Sequence, residues 1–341
     1  MKKKTAIIKL IEYELPECFL TNEILATDFP DWSVERIEQK TGIRVRRIAA
    51  QYECASDLGV RAAEKIFINS SCKREEIDYL LLCTQSPDYF LPTTACLMQD
   101  RLGLPNSCGA LDFNLGCSGY IYGLGLAKGL IETGQAYNVL LVTAETYSKY
   151  IHPSDRSVRT LFGDAATATL IQRSSATKEI IGPFVYGTDG TGGKNLIVPT
   201  GGSRLLRSKE SAEVVEDEHG NFRSQDHLYM NGAEIFTFTL ISVPNAVKKL
   251  LFLSGKKMED IDLFIFHQAN KFMLEHLCKK LKLPENKFFI SFKDYGNTVS
   301  STIPIALNDA LSQEKLRAGD LVMLVGFGVG YSWGATLVRW V

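Results

Sequence analysis

The chain has 341 residues, of which 45% are apolar and 23% charged, with a net charge of −1 at pH 7. This is the balance of a globular protein long enough for two ordinary domains or one large fused unit, and the near-neutral charge excludes the basic footprint of a nucleic-acid or anionic-membrane binder. No stretch approaches the roughly 18 uninterrupted apolar residues of a membrane span, so the expected partner is a small molecule or another protein.

Met1 to Leu10 carries a lysine run but no usable export signal, because its apolar stretch is short and Lys9, Glu12 and Glu14 interrupt it. The eight cysteines therefore read as free thiols of a reducing compartment, and the expected location is the cytoplasm. No C-x-x-C occurs and the five histidines do not cluster with cysteines, so no metal site is expected.

Val60 to Thr84 predicts an amphipathic helix, a polar turn and a fully buried strand over Tyr79 to Cys83. Pro244 to Gln268 repeats that order and aligns with it without a gap. Ala62, Lys65, Ser70, Lys73, Glu75, Ile77 and Asp78 recur as Ala246, Lys249, Ser254, Lys257, Glu259, Ile261 and Asp262, and the second strand covers Leu263 to Phe266. The correspondence continues. After Cys83 come the strand Leu111 to Phe113, Gly116-Cys117, a small-residue helix and the strand Val139 to Val142. After His267 come Phe289 to Ser291, Gly296-Asn297, a helix and the strand Leu321 to Val325.

Strands alternating with helices imply an α/β protein with crossover units and largely parallel sheets. Two such halves imply a pseudo-twofold fold with a site where they meet. The boundary falls near Ser174 to Ile181, after the strand Ala165 to Ile171, which divides the chain into residues 1–175 and 176–341. Gly201 to Asp226 reads as a polar, exposed insertion ahead of a helix that opens at Asn231.

Cys117 sits in Asn114-Leu115-Gly116-Cys117-Ser118-Gly119-Tyr120, after a strand and at the start of a helix running to about Ile131. The free N–H groups and partial positive charge of a helix start favour thiolate over thiol, and flanking glycines admit a close substrate. The alternative is a small buried apolar side chain. His267 ends the buried strand Leu263 to Phe266, at the edge where α/β sheets bind ligands, or else it is a hydrogen-bonded core histidine. The repeat maps Asn297 onto the turn that bears Cys117, and the alternative there is a helix N-cap.

Gly326-Phe327-Gly328-Val329-Gly330 lacks the following helix of a dinucleotide loop, since Tyr331 to Trp340 alternates like a strand. Its N–H groups suit an oxyanion instead. Asp164 reads as a structural turn residue. Cysteine as nucleophile, with His and Asn donating to a thioester carbonyl that becomes an enolate, forms one coherent set.

At these residues the chain resembles the type III 3-oxoacyl-ACP synthases. The matching pieces are Thr41-Gly42-Ile43-Arg44, Gly116-Cys117-Ser118-Gly119, Asp155-Arg156, Phe162-Gly163-Asp164, His267-Gln268-Ala269-Asn270, Gly296-Asn297-Thr298 and Trp333-Gly334. The resemblance implies a duplicated, five-layered αβαβα thiolase-like fold, a homodimer, and no cofactor beyond CoA and carrier-protein thioesters as substrates. It implies that Cys117 takes an acyl group from acyl-CoA, with the N–H groups of Cys117 and Val329 as oxyanion hole. His267 and Asn297 then hold malonyl-ACP as carbon dioxide leaves, with Phe327 beside them.

The departures from the family pattern concern the substrates. Val329 stands where glycine is common, so the loop must avoid φ > 0 there. The tryptophan that stacks on the CoA adenine has no match, because Arg36 falls at that position and Trp32 lies four residues earlier. Lys40 replaces an arginine that contacts CoA phosphate, and Arg156 keeps another CoA-contacting position. Two basic carrier-docking positions are Thr237 and Phe272, while Lys279 and Lys280 remain. Leu91, beside Phe90, replaces a phenylalanine that limits the acyl pocket. Two other readings stand beside condensation: acyl transfer to an alcohol or amine, which Asn297 argues against, and a non-catalytic partner subunit.

Overall fold

The computed structural model describes residues 4–175 and 178–341. The start of the lysine run, and residue 176 at which the sequence reading begins the second half, lie outside the described residues.

The first half runs through β1 (Thr5–Glu14), α1 (Val34–Thr41), α2 (Ala55–Asn69), β2 (Tyr79–Cys83), α3 (Thr94–Arg101), β3 (Gly109–Phe113), α4 (Gly119–Thr133), β4 (Asn138–Glu145) and β5 (Ala165–Ser174). Its sheet has the order β1-β5-β4-β2-β3. The ladders of β2 with β3 and with β4 are parallel, whereas β5 pairs antiparallel with β4 and with β1. The second half contributes β6 (Ile181–Thr188), α5 (Gly232–Ser254), β7 (Leu263–Phe266), α6 (Lys271–Leu281), α7 (Thr302–Ser312), β8 (Leu321–Gly328) and β9 (Ser332–Arg339). Its sheet order, β7-β8-β9-β6, repeats the first, with β7 parallel to β8 and the other two ladders antiparallel.

The fifth strand expected over Phe289 to Ser291 shrinks to one parallel bridge, Phe264 to Phe288. The Gln268 side chain takes over part of the missing ladder. Its amide nitrogen donates to the carbonyls of Phe266 (2.6 Å) and Phe289 (3.3 Å), and its oxygen accepts from the Ser291 N–H (2.7 Å). A side chain that satisfies these backbone groups removes the need for a strand partner.

The layers follow from where apolar side chains fall. Helix α4 is apolar around most of its circumference, as a helix between two sheets must be. Ile121, Leu124, Ala127 and Ile131 of α4 pack with Ile303, Ala306 and Leu307 of α7, against Leu141 of one sheet and Leu324 of the other. Each such fully buried leucine contributes about 1.5–3 kcal/mol of transfer free energy. Helices α2 and α3 cover the outer face of the first sheet, through Leu58, Ala62, Ile66 and Met98. Helices α5 and α6 cover the second, through Val243, Val247, Leu250 and Leu274.

The result is the order αβαβα. By length and composition α5, at 23 residues, could cross a membrane, although it contains no uninterrupted apolar run of spanning length. In this fold its Ile235, Phe238, Val247 and Leu250 face is buried on β6, β8 and β9. The insertion at 201–226 holds a small hairpin, Val215–Glu216 with Phe222–Arg223. Arg223 ties it to Asp155 (2.9 Å) and Asp217 (2.8 Å).

Candidate active site

The C-terminal ends of β3, β4, β7 and β8 converge on Cys117. The turn from β3 into α4 carries it two residues ahead of the first helical residue, with Ser118 at the cap position. The backbone N–H groups of Cys117 itself and of Val329, in the loop between β8 and β9, act to lower the pKa of its thiol. Val329 avoids positive φ, as a side chain there requires. Gly328 lies against the nucleophile's back, where a Cβ would stand 2.9 Å from both the Cβ and the sulfur of Cys117.

The thiol's acidity runs opposite to the reading from the helix start. Burial pushes the Cys117 thiol up to about 12, and the Glu145 carboxyl pushes the same way, outweighing the two N–H donors. The helix start is visible in the sequence, but the long-range packing that buries the sulfur is not. Glu145 ends β4 and is itself fully buried, which pushes its carboxyl up to about 8. It accepts from the Gln85 N–H (3.0 Å), the Ser86 hydroxyl (3.0 Å) and, from the second half, the Ser300 hydroxyl (2.9 Å).

His267 follows β7 and is 2% exposed. Its Nδ1 lies 2.8 Å from the Thr302 hydroxyl, and its ring stands edge-to-face with Phe327 at 5.4 Å. Burial pushes the imidazole down to about 3, so it is neutral at physiological pH. Asn297 does not cap α7, which begins five residues later. Its Oδ1 accepts from the Val299 N–H (3.0 Å), leaving the amide N–H2 as the free end. Its backbone is pinned to the first half, since its N–H donates to Leu161 (2.8 Å) and its carbonyl accepts from Gly163 (3.0 Å).

Cys117, His267, Asn297, Phe327 and Gly328 line one small cavity of about 80 Å³. Two larger ones flank it. One, of about 910 Å³, shares Leu161, Met230, Gly232 and Asn270 with it and is walled by Trp32, Lys40, Arg223 and Phe272. The other, of about 1030 Å³, shares Leu196 and is walled by Gln85, Asn114, Tyr147, Tyr150, Leu206 and Val329. The sulfur therefore stands between two larger spaces.

Trp32, four residues ahead of the position where the family pattern has its tryptophan, organises the first of these. The charged ends of Lys40, Arg36 and Arg156 lie 4.5, 5.4 and 5.7 Å from its ring centre. Arg36 and Lys40 are one turn apart on α1, and Trp32 lies just ahead of the Ser33 cap of that helix. Arg36 is exposed and donates to the Asp31 carbonyl (3.1 Å), and Arg156 donates to the His219 carbonyl. Leu91 is 82% exposed and lines neither flanking cavity of its own chain, whereas Phe90 lines the larger one. Among the described residues, no group of three or more His, Cys, Asp or Glu is placed to hold a metal ion.

The duplicated αβαβα architecture is that of the thiolase fold, and the family it matches is one of condensing acyltransferases. Family models described as 3-oxoacyl-[acyl-carrier-protein (ACP)] synthase III and its C-terminal part match residues 111–190 and 251–340. The chain is 39% identical to a β-ketoacyl-[acyl-carrier-protein] synthase III of Caldanaerobacter subterraneus subsp. tengcongensis over 326 residues, covering 96% of this chain and 95% of that one. A crystal structure of a 3-oxoacyl-(acyl-carrier-protein) synthase III superposes with a TM-score of 0.98 at 55% identity, covering 98% of this chain and all of the other. A 3-oxoacyl-(acyl-carrier protein) synthase from Burkholderia xenovorans LB400 gives 0.90 at 38% identity, covering 99% and 95%. The chain belongs to the 3-oxoacyl-ACP synthase III family.

Proposed function

We propose that the protein joins an acyl-CoA starter to malonyl-ACP by decarboxylative Claisen condensation. In the first half-reaction the Cys117 sulfur attacks the acyl-CoA carbonyl and CoA leaves as its thiol. The N–H groups of Cys117 and Val329 hold the oxyanion. In the second, His267 and Asn297 hold the malonyl thioester carbonyl as an enolate while carbon dioxide departs. The enolate carbon then attacks the acyl-Cys117 carbonyl and expels the Cys117 thiolate, which takes a proton from solvent to restore the thiol as 3-oxoacyl-ACP is released. Each preorganised donor of this kind is worth about 2.7–4 kcal/mol in comparable sites. The observation that carries this reading is the meeting of the three side chains on one cavity.

Lys40, Arg36 and Arg156 around Trp32 suit the nucleotide and phosphates of CoA at the 910 Å³ mouth. Phe327 packs against the His267 ring and excludes water from it. The starter chain occupies the 1030 Å³ cavity. We read residues 1–175 and 176–341 as the two halves, and the active unit as a homodimer in the cytoplasm. The exposed side chains of Tyr89, Phe90 and Leu91 support the dimer, and eight unpaired thiols support the compartment. Leu91 can then limit the starter only from a second copy.

The test is intact-mass and peptide mapping after acyl-CoA treatment. One acyl group on Cys117, absent in Cys117→Ser, is expected. Acylation at Cys83 or Cys96 overturns the mechanism.

A further inference from the structure

The neutral His267 ring has one N–H, and the structure holds the device that decides which nitrogen carries it. The Thr302 hydroxyl lies 2.8 Å from Nδ1 and 3.1 Å from the Val299 carbonyl, and it has a single proton to give. If that proton goes to Val299, Nδ1 must be the imidazole donor and Nε2 presents a lone pair to the cavity. If it goes to Nδ1, the ring proton sits on Nε2. An enolate oxygen is stabilised by a donor and repelled by a lone pair, so the two arrangements differ in chemistry as well as in hydrogen bonding.

A donor role for His267 towards an enolate requires the second arrangement, and the geometry accommodates it. The contact to Nδ1 is the shorter, and Thr302, 2% exposed at the first position of α7, cannot trade it for water. Val299, at φ +55, already serves the site through its N–H, which fixes the Asn297 amide. One short segment, residues 297–302, therefore aims both donors.

We propose that Thr302 is a positioning residue, whose hydroxyl donates to His267 Nδ1 and keeps the imidazole proton on Nε2, facing the cavity. The proposal rests on His267 acting as a donor in the condensation reading.

Nitrogen NMR of ¹⁵N-histidine-labelled protein, with His267 assigned through His267→Ala, reads the tautomer directly. The wild type is expected to show Nε2 protonated and Nδ1 bare, and the reverse pattern overturns the proposal whether or not any variant folds. Thr302→Val, similar in shape but without the hydroxyl, is expected to lose that preference. It should also decarboxylate malonyl-ACP about 10–100-fold more slowly, while acylating Cys117 within about twofold of wild type. Thr302→Ser, which keeps the hydroxyl, is expected to recover most of the decarboxylation rate. Wild-type decarboxylation by Thr302→Val, or an equal loss in Thr302→Ser, also overturns it. If His267→Ala itself decarboxylates normally, the condensation reading fails, and the NMR result still judges the tautomer on its own.

Discussion

Gly328→Ala is the sharpest perturbation the site offers, because it adds one methyl group against the nucleophile and nothing else. Gly328 ends β8 without a positive φ, so its backbone accepts alanine. The new Cβ would stand 2.9 Å from the Cys117 Cβ and sulfur. Ordinary contacts lie near 3.5–4.0 Å, so roughly 0.6–1 Å of separation must open. Either the sulfur retreats or the β8 end does. Both shift the sulfur relative to the Val329 N–H, which follows Gly328 directly. Misplacement on that scale costs about 10²-fold in rate, and overpacking about 1–3 kcal/mol of stability. The assay is the rate of the intact-mass shift with acyl-CoA, beside a thermal melt showing the variant folded. A folded Gly328→Ala protein acylated at the wild-type rate would refute the proposed geometry of nucleophile and oxyanion hole.

His267→Ala and Asn297→Ala should each leave Cys117 acylation measurable and lower malonyl-ACP decarboxylation by about 10²–10³-fold; condensation at the wild-type rate by Asn297→Ala would favour transfer to an alcohol or amine. For the starter, each extra buried methylene gains about 0.8 kcal/mol, so a medium-chain acyl-CoA that buries two or three more methylenes than acetyl-CoA should exceed it in kcat/KM by roughly one to two orders of magnitude across the acetyl-, butyryl-, hexanoyl- and octanoyl-CoA series. Leu91→Phe should narrow that profile; the idea fails if acetyl-CoA is the best wild-type starter and Leu91→Phe changes nothing. Glu145 is held neutral by burial, with its carboxyl moved from the ordinary 4.5 up to about 8. The folded state thus binds more protons than the unfolded one between these values, and stability falls as pH rises through that window. Urea melts from pH 5 to 8 should show the slope in wild type and a shallower one in Glu145→Gln, where Asp164, raised to about 6, keeps part of it; equal slopes would mean Glu145 is ionised in the fold.

The duplication was readable because a buried parallel strand needs a continuous apolar run, and Tyr79–Cys83 and Leu263–Phe266 each follow a helix and polar turn of the same length. His267 and Cys117 stood out because strand ends and helix starts leave marks in sequence. The rest depended on contacts between distant residues. Phe289–Ser291 looks like a strand, but Gln268, over twenty residues away, satisfies part of its backbone. The helix start before Cys117 promised a lower thiol pKa, while burial reverses the direction. Trp32 was obscured because the register through Thr41-Gly42-Ile43-Arg44 sets Arg36 at its place, although the fold brings Arg156 to the Trp32 ring from more than a hundred residues away. Thr302 carries no motif at all and acquires meaning only beside Nδ1 of His267.

The most direct test of the account is a single turnover of protein pre-acylated on Cys117 and freed of acyl-CoA, mixed with malonyl-ACP labelled in its free carboxyl. The account predicts one labelled carbon dioxide and one 3-oxoacyl-ACP for each acyl-Cys117 consumed. Loss of the acyl group to an alcohol, an amine or water, without stoichiometric carbon dioxide release, would contradict it.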